Sequence, residues 1–482
     1  MVRFQRPVMP RPLIALVILL GLSATVAWAS PTAVQARYTI SVPAGLGSLH
    51  VEACFEAGGI LDLQSRSPQA GGLLDGLEGA RDTQVVWHED RIQVRLPGRD
   101  GCLSYRVGLD AASQHGHWRR ELVVATDAIL LDPDLFLWLP EGTSDVSVEF
   151  RLPPGLSVSA PWKMLASTEQ GPVFRTGARA ALGDGKVALG RFETYRREVA
   201  GATIAVALLN GVPAVDRPMV RRWLRANIDA VTAVTGRFPV SRLQLLVVPI
   251  GSGDEPVPWG QVSRSGGDAV HLYIDQRMPD QTFMKDWVLS HELSHLFHPY
   301  LSDGARWVYE GLASYYQNVS RARAGMMSQG EAWEELHAGF GRGRQGTRPG
   351  RSLADATENM RAERAYMQVY WSGAAIFLIA DLELRQATAQ RLSLDRVLEA
   401  FADCCLPVGS DWTGPAFLRQ LDRLSGSDVF TRLAARHRLS DRFPDMTAAY
   451  AQLGLRRLSG GGLAFDDHPG QVAMRASIMG EP

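Results

Sequence analysis

A charge excess is the first thing the sequence lacks: 50 lysines and arginines face 51 acidic residues over 482 positions, a formal net charge of -1. Without such an excess, neither nucleic acid nor an anionic membrane surface is an expected partner. Cysteine is scarce at four, and no spacing among them makes a tetrahedral zinc knuckle or a redox CxxC. Cys54 and Cys102 share one strand-rich region and are the expected disulfide pair. Cys404 and Cys405 are neighbours, an awkward geometry for a bond, and are expected to be reduced and buried. Lysine occurs only at Lys163, Lys186 and Lys285, which reads as genome composition rather than chemistry. No long apolar run follows Ala29 and no internal repeat is visible, so neither a later membrane span nor a solenoid is expected.

What is present begins with Arg3, Arg6 and Arg11, then LIALVILLGLSATVAWA ending in Ala27-Trp28-Ala29. Basic, apolar and small residues in that order predict a signal peptide over 1–29, cut after Ala29, and therefore a periplasmic or extracellular protein. An N-terminal membrane anchor is the competing reading. From 30 to 200, short alternating runs such as TQVVWHEDRIQVRL, turning at Glu89-Asp90, predict a β-sandwich-like domain. His88, His115 and His117 have no third ligand nearby and read as surface loop histidines. From 201 to 345, RPMVRRWLRANIDAVTAVTGRF predicts a helix ending at Thr235-Gly236, LQLLVVPI a buried strand and AVHLYID an edge strand, giving an α+β domain. GFGRGRQGTRPGR, residues 339–351, predicts a loop or boundary, since glycine and proline favour neither helix nor strand. An all-helical domain is expected over 346–458 and a poorly ordered tail over 459–482. The fold class is multidomain α+β.

The chemistry concentrates in HELSHLFHPYLSDGARWVYEGLASYY, residues 291–316. On a helix, positions i and i+4 differ by about 40° in direction and about 6 Å in rise, so His291 and His295 can offer imidazole nitrogens to one cation. Zinc fits such a pair best. Glu292 leans to the side of the pair, where its carboxylate can take the proton of a water on the metal. A catalytic site needs a third ligand and an open fourth position. His298 on the same helix would crowd the metal, and the HExxHxxGxxH form is excluded because His298 and Leu301 stand at its last two signature positions. Glu310 is preferred: Pro299, Ser302, Asp303 and Gly304 make a turn, and a second helix can run back to place Glu310 opposite the histidines. Ser314, one turn further on, is a candidate to hydrogen-bond a ligand histidine. His271 on AVHLYID is a candidate substrate contact, although a solvated edge position explains it more simply.

These residues resemble the gluzincin metallopeptidases, and among them the glycyl aminopeptidase family, a relative of the alanyl aminopeptidases. The resemblance rests on HELSH, on WVYEGLASYY at 307–316 and on VYWSGAAIFLIADLELRQATAQRLSLDRVLEAF at 369–401, more faintly on DLFLWLPEG and TAAYAQLGL. It implies a β-rich N-terminal domain, a thermolysin-like catalytic domain and a helical domain walling the cleft. It also implies one zinc on His291, His295 and Glu310, Glu292 as general base, and a peptide or protein substrate. Tyr370 in YWSG matches the tyrosine that steadies the oxyanion in these families, with Ser372 in place of the usual lysine; Tyr366 is the alternative. Ser263 in WGQVSR stands where the related aminopeptidases carry the glutamate that holds a free α-amine. Strict aminopeptidase specificity is therefore not expected. The gap between His295 and Glu310 is shorter than in the family, and a PDZ module is not expected, because the chain ends soon after the helical region. The reading is an exported zinc metallopeptidase; the alternative, motivated by Ser263 and Ser372, is a catalytically inactive zinc-containing envelope scaffold.

Overall fold

The computed structural model describes residues 34–56, 59–79, 81–87, 91–97, 100–109, 122–124, 126–406 and 412–480. The expected signal peptide over 1–29, the Glu89-Asp90 turn and His88, His115 and His117 lie outside the described residues. The architecture is mixed α+β, with a sheet-built N-terminal region followed by a sheet-and-helix region. In the first region, strands β1 (Val34–Ser41), β2 (Ser48–Phe55), β3 (Gly101–Gly108) and β4 (Thr143–Arg151) lie in the order β4-β1-β2-β3 within a seven-stranded sheet. Alternate residues of β1 are buried, so Tyr38 and Ile40 enter a core with Val51, Val107 and Val148 while Arg37 and Thr39 face outward. Cys54 and Cys102 sit directly opposite each other on β2 and β3 and are joined by a disulfide.

The second region is built on a five-stranded sheet. Its strands are β5 (Glu193–Val199), β6 (Ala202–Leu208), β7 (Arg242–Pro249), β8 (Trp259–Ser263) and β9 (Ala269–Ile274), in the order β5-β6-β7-β9-β8. β6, β7 and β9 run parallel, and β8 closes the edge antiparallel to β9. AVHLYID is thus an interior strand, and the edge is WGQVS. Strand order is set by long-range pairing that alternation within one segment cannot report. Helix α1 (Arg217–Thr235) starts where the Asp216 side chain accepts from Met219 N at 2.9 Å and stops at Gly236, whose φ of 75° suits glycine.

The helices that follow are α2 (Val288–Ser294), α3 (Arg306–Arg323), α4 (Gln329–Gly346), α5 (Tyr366–Ala387), α6 (Leu394–Cys404), α7 (Gly414–Ser425) and α8 (Pro469–Met479). One continuous apolar core runs from Ala202 to Met479, so residues 346–458 share their interior with the sheet region. The glycine run expected as a boundary is helical through Gly346. A Cβ on Gly339 would meet the Trp371 ring at 2.2 Å, and one on Gly343 the Phe443 ring at 2.5 Å, so these glycines admit aromatic rings rather than break the helix. The tail is also ordered: Leu455–Arg457 pairs with Leu463–Phe465, and α8 buries Ile478 and Met479. Arg323 Nε holds Ile478 O at 2.8 Å. Cys404 and Cys405 are not reduced and buried but disulfide-bonded and at least partly exposed, at the end of α6. No helix among the described residues is long and apolar enough to cross a membrane.

Candidate metal centre and cleft

The helix carrying His291 is only seven residues long, so its position depends on what holds its ends. At the start, Asp286 Oδ1 accepts from Val288 N at 2.8 Å; burial pushes this carboxyl up to about 7. In the middle, Ser290 Oγ donates to Asn227 Oδ1 of α1 at 2.5 Å. At the end, where a 3-10 turn (His295–Phe297) completes the helix, carbonyls lack intrahelical partners. Arg264 supplies them: its Nη1 donates to His295 O at 2.9 Å and to His298 O at 2.6 Å, while its Nε pairs with Asp268 at 2.9 Å. The residue that follows β8 thus clamps the metal-site helix to the edge strand.

His291 Nε2 lies 3.2 Å, and His295 Nε2 3.6 Å, from Glu310 Oε2. Donor atoms about 2.0–2.1 Å from a tetrahedral zinc lie about 3.3 Å from one another, so the three atoms already have the spacing of one metal's ligands. The surrounding bonds also decide which nitrogens are free. His298 Nδ1 donates to Pro299 O at 2.7 Å, leaving its Nε2 to accept from His295 Nδ1 at 3.1 Å. His291 Nδ1 donates to Gln317 Oε1 at 2.8 Å. Both ligand histidines therefore present the Nε2 lone pair to the shared centre. Burial opposes charge on Glu310, yet its polar neighbours His291, His295 and Tyr370 keep its pKa below the ordinary carboxylate value. Burial holds His295 well below the usual histidine value. The donor set of two neutral imidazoles and one carboxylate suits zinc.

Two glycines bring the rest of the site in. A Cβ on Gly311 would fall 2.4 Å from Gly373 Cα, and a Cβ on Gly373 would fall 2.0 Å from Trp307 O. α3 and α5 therefore cross backbone to backbone at this pair, which explains both the glycine after Glu310 and the glycine of YWSG. The close crossing places Tyr370, one turn before Gly373, stacked on His291 at 5.8 Å and 5°. Its hydroxyl hydrogen-bonds Glu310, and burial followed by the Glu310 charge raises its pKa far above the ordinary tyrosine value, so it remains a donor. Glu292 lies against β8: Val262 N–H donates to its carboxylate, and a Cβ on Gly260 would come within 2.7 Å of its Cγ. Burial raises the Glu292 carboxyl to about 7.

The M61 glycyl aminopeptidase family matches residues 298–376, a span that contains Glu310 and Tyr370. The chain resembles the glycyl aminopeptidases. No curated protein sequence matches it. Among solved structures, an aminopeptidase N family protein from Idiomarina loihiensis matches with a TM-score of 0.66 at 16% identity, over 87% of this chain and 78% of that one. An M1 zinc metallopeptidase from Deinococcus radiodurans matches with a TM-score of 0.52 at 16% identity, over 86% and 94%. A mutant of an M1 zinc metallopeptidase from the same organism, bound to a Tyr-Ser-Ala substrate, gives 0.52 at 16% identity, over 86% and 95%. The likeness in structure is one of fold, and the family match and the fold together support a zinc metallopeptidase.

Against this glycyl aminopeptidase-like frame, several predicted residues fall elsewhere. His271 is on the interior strand β9, fully buried, with neither ring nitrogen hydrogen-bonded and its pKa pushed down to about 3 by burial; it is no substrate contact. Ser263 ends the edge strand but is buried and turned out of the cleft: its Oγ donates to Asp184 Oδ1 of the N-terminal region at 2.7 Å. Strand alternation put it on the far face, which a motif alignment could not show. Ser314 is buried and is not hydrogen-bonded to either ligand histidine, and that role belongs to Gln317. The signal for Gln317 was available, since seven residues after Glu310 is two turns on the same helical face. Tyr366 is exposed at the first residue of α5. His298 supports His295 instead of joining the ligands.

Proposed function

We propose that the chain is an exported zinc metallopeptidase that hydrolyses peptide bonds, with one zinc held by His291, His295 and Glu310. The observation that carries this reading is the convergence of the two Nε2 lone pairs on Glu310 Oε2 at 3.2 and 3.6 Å. When bound, the zinc supplies Lewis-acid polarisation of the scissile carbonyl and acidifies the attacking water. Glu292, raised to about 7, takes the water's proton on its carboxylate and returns it to the leaving amine nitrogen. Val262 N–H fixes the carboxylate's orientation for both transfers. With substrate bound, the Tyr370 hydroxyl turns its hydrogen bond from Glu310 to the oxygen on which negative charge develops, a bond made strongest as that charge appears. An extended peptide adds to the edge strand β8 through backbone hydrogen bonds. Export is supported by the two disulfides, which persist in oxidising compartments.

Because Ser263 is committed to Asp184, its position supplies no carboxylate for an N-terminal ammonium, so N-terminally blocked peptides are accepted as substrates. The M1 zinc metallopeptidase with a bound Tyr-Ser-Ala substrate shares the fold and favours a short peptide as the occupant here. Metal analysis of the purified chain, together with mass-spectrometric mapping of products from a mixed peptide library, tests the proposal. Zinc near one per chain with chelator-sensitive cleavage is expected; an absence of metal sinks it. Full zinc with no cleavage across the library favours the scaffold reading instead, which Ser372 in place of a lysine motivates.

A further inference from the structure

Gly183 and Gly185 precede a buried strand of the N-terminal region (Val187–Gly190), and Gly266 and Gly267 follow β8, yet the two segments meet. A Cβ on Gly183 would fall 2.4 Å from Gly266 Cα, one on Gly266 2.3 Å from Gly185 N, and one on Gly267 2.4 Å from Pro161 O. These obstacles are backbone atoms, so the N-terminal region and the sheet-and-helix region touch here main chain against main chain. Gly267 also has a φ of 105°, which residues with a side chain rarely adopt.

The crossing encloses a carboxylate. Asp184 stands between its two glycines, and its Oδ1 accepts from Ser263 Oγ at 2.7 Å and from Ser265 Oγ at 2.5 Å. Its own N–H donates to Ser265 Oγ at 3.2 Å. A second tie lies just beyond, where Gln244 Nε2 of β7 donates to Lys186 O at 3.0 Å and to Ser159 Oγ at 3.0 Å. Between the two serines sits Arg264, whose side chain reaches instead to His295 O and His298 O at the end of the metal-site helix. The segment from Arg264 to Gly267 lies past the end of β8 and outside its ladder with β9, and its two glycines give it little conformational preference of its own. Arg264 nonetheless has to meet two carbonyls at once, at 2.9 and 2.6 Å. Holding the serines on either side holds Arg264.

We propose that Asp184 is a positioning residue of the metal centre: by fixing Ser263 and Ser265 it fixes the loop from which Arg264 clamps the helix end carrying His295. Asp184 touches neither metal nor substrate and acts through Arg264. One carbonyl in the clamp is that of His295 itself, so slack in the loop passes directly to the backbone of a ligand. Val262, next to Ser263, gives Glu292 its backbone hydrogen bond, so the same slack reaches the proton carrier. The consequence for zinc rests on the proposed peptidase site; the tie between the two regions does not.

The test compares Asp184→Ala with Asp184→Asn in the full chain. Asp184 is exposed, so neither change disturbs the core. Asparagine keeps a side-chain oxygen that can accept from both serines, and alanine keeps none. In competition with a chelator, Asp184→Ala is expected to bind zinc about tenfold more weakly and Asp184→Asn to match the wild type. Ser263→Ala/Ser265→Ala should reproduce the alanine loss, and adding Asp184→Ala to that pair should cost nothing more. Hydrogen exchange of the metal-free chain should quicken in Asp184→Ala at residues 264–268 and 295–301, but not in β1 and β2. Unchanged zinc affinity in Asp184→Ala, an asparagine variant as damaged as the alanine one, or exchange that quickens evenly along the chain overturns the proposal, the last because it marks a loss of general stability. Wild-type protein that binds no zinc would sink the peptidase reading, whereas exchange at 295–301 still decides for or against the positioning role, so the two failures are distinguishable.

Discussion

Replacing Gly373 by alanine adds one methyl group to α5, and the structure says where it lands: 2.0 Å from Trp307 O and 2.7 Å from Gly311 Cα. Both are backbone atoms, so no side chain can rotate out of the way. Ordinary carbon-to-oxygen contact needs about 3.3 Å or more, so α3 and α5 must separate by roughly 1 Å. Overpacking of this kind costs about 1–3 kcal/mol in stability. The functional cost is larger, because Tyr370 and Glu310 ride on the two helices being parted, and a misplacement of about 1 Å at a reacting centre costs about 100-fold in rate. Gly341, on α4, provides the internal control, since a Cβ there meets nothing within 4 Å. Gly341→Ala is expected to stabilise by about 0.5–1 kcal/mol through helix propensity and to leave kcat unchanged. Chemical denaturation and peptide hydrolysis, with zinc measured in each sample, compare the two variants. If Gly373→Ala keeps wild-type kcat and midpoint, the argument that the glycine pair positions the oxyanion donor is wrong.

Other consequences can be checked separately. Gln317→Leu removes the bond that fixes the His291 tautomer and is expected to weaken zinc binding about 10–100-fold in competition with a chelator, with the fold retained. His271→Leu tests the buried neutral imidazole: its folded pKa near 3 lies below the unfolded 6.5, so the wild type loses stability as pH falls through that window. The variant's advantage in denaturation midpoint should therefore grow from pH 7 to pH 5, reaching about 2 kcal/mol; a pH-independent difference contradicts this. N-acetylated and free peptides of the same sequence should be cleaved at rates within about tenfold of each other, because a charge partner for the amine would be worth more than that. A strong preference for free amines would mean that another carboxylate replaces Ser263.

Residues 291–316 were legible as a unit because their information is local. Helical spacing, a turn and a second helix suffice to bring His291, His295 and Glu310 within reach of one another. What was not legible depends on distant partners. AVHLYID alternates like an edge strand, but WGQVS pairs outside it and buries His271. The glycines at 339 and 343 read as breakers until Trp371 and Phe443 are placed against them. Cys404 and Cys405 end α6 at the surface, where no core encloses them as free thiols. Tyr370 was reachable only through the family resemblance, since its nearness to Glu310 follows from a helix crossing 62 or more residues away in sequence from either of its glycines' partners in α3.

The central claim is that a zinc held by two histidines and Glu310 works with Glu292 as the proton carrier. Glu292→Gln isolates it, because glutamine keeps the shape and the Val262 N–H contact but cannot accept the water's proton. Metal content and hydrolysis of a quenched peptide, measured on the same preparations, should give about one zinc per chain in both proteins and a loss of at least about 1,000-fold in kcat in the variant. Equal activity in the two proteins, or wild-type protein that binds no zinc, would contradict the account.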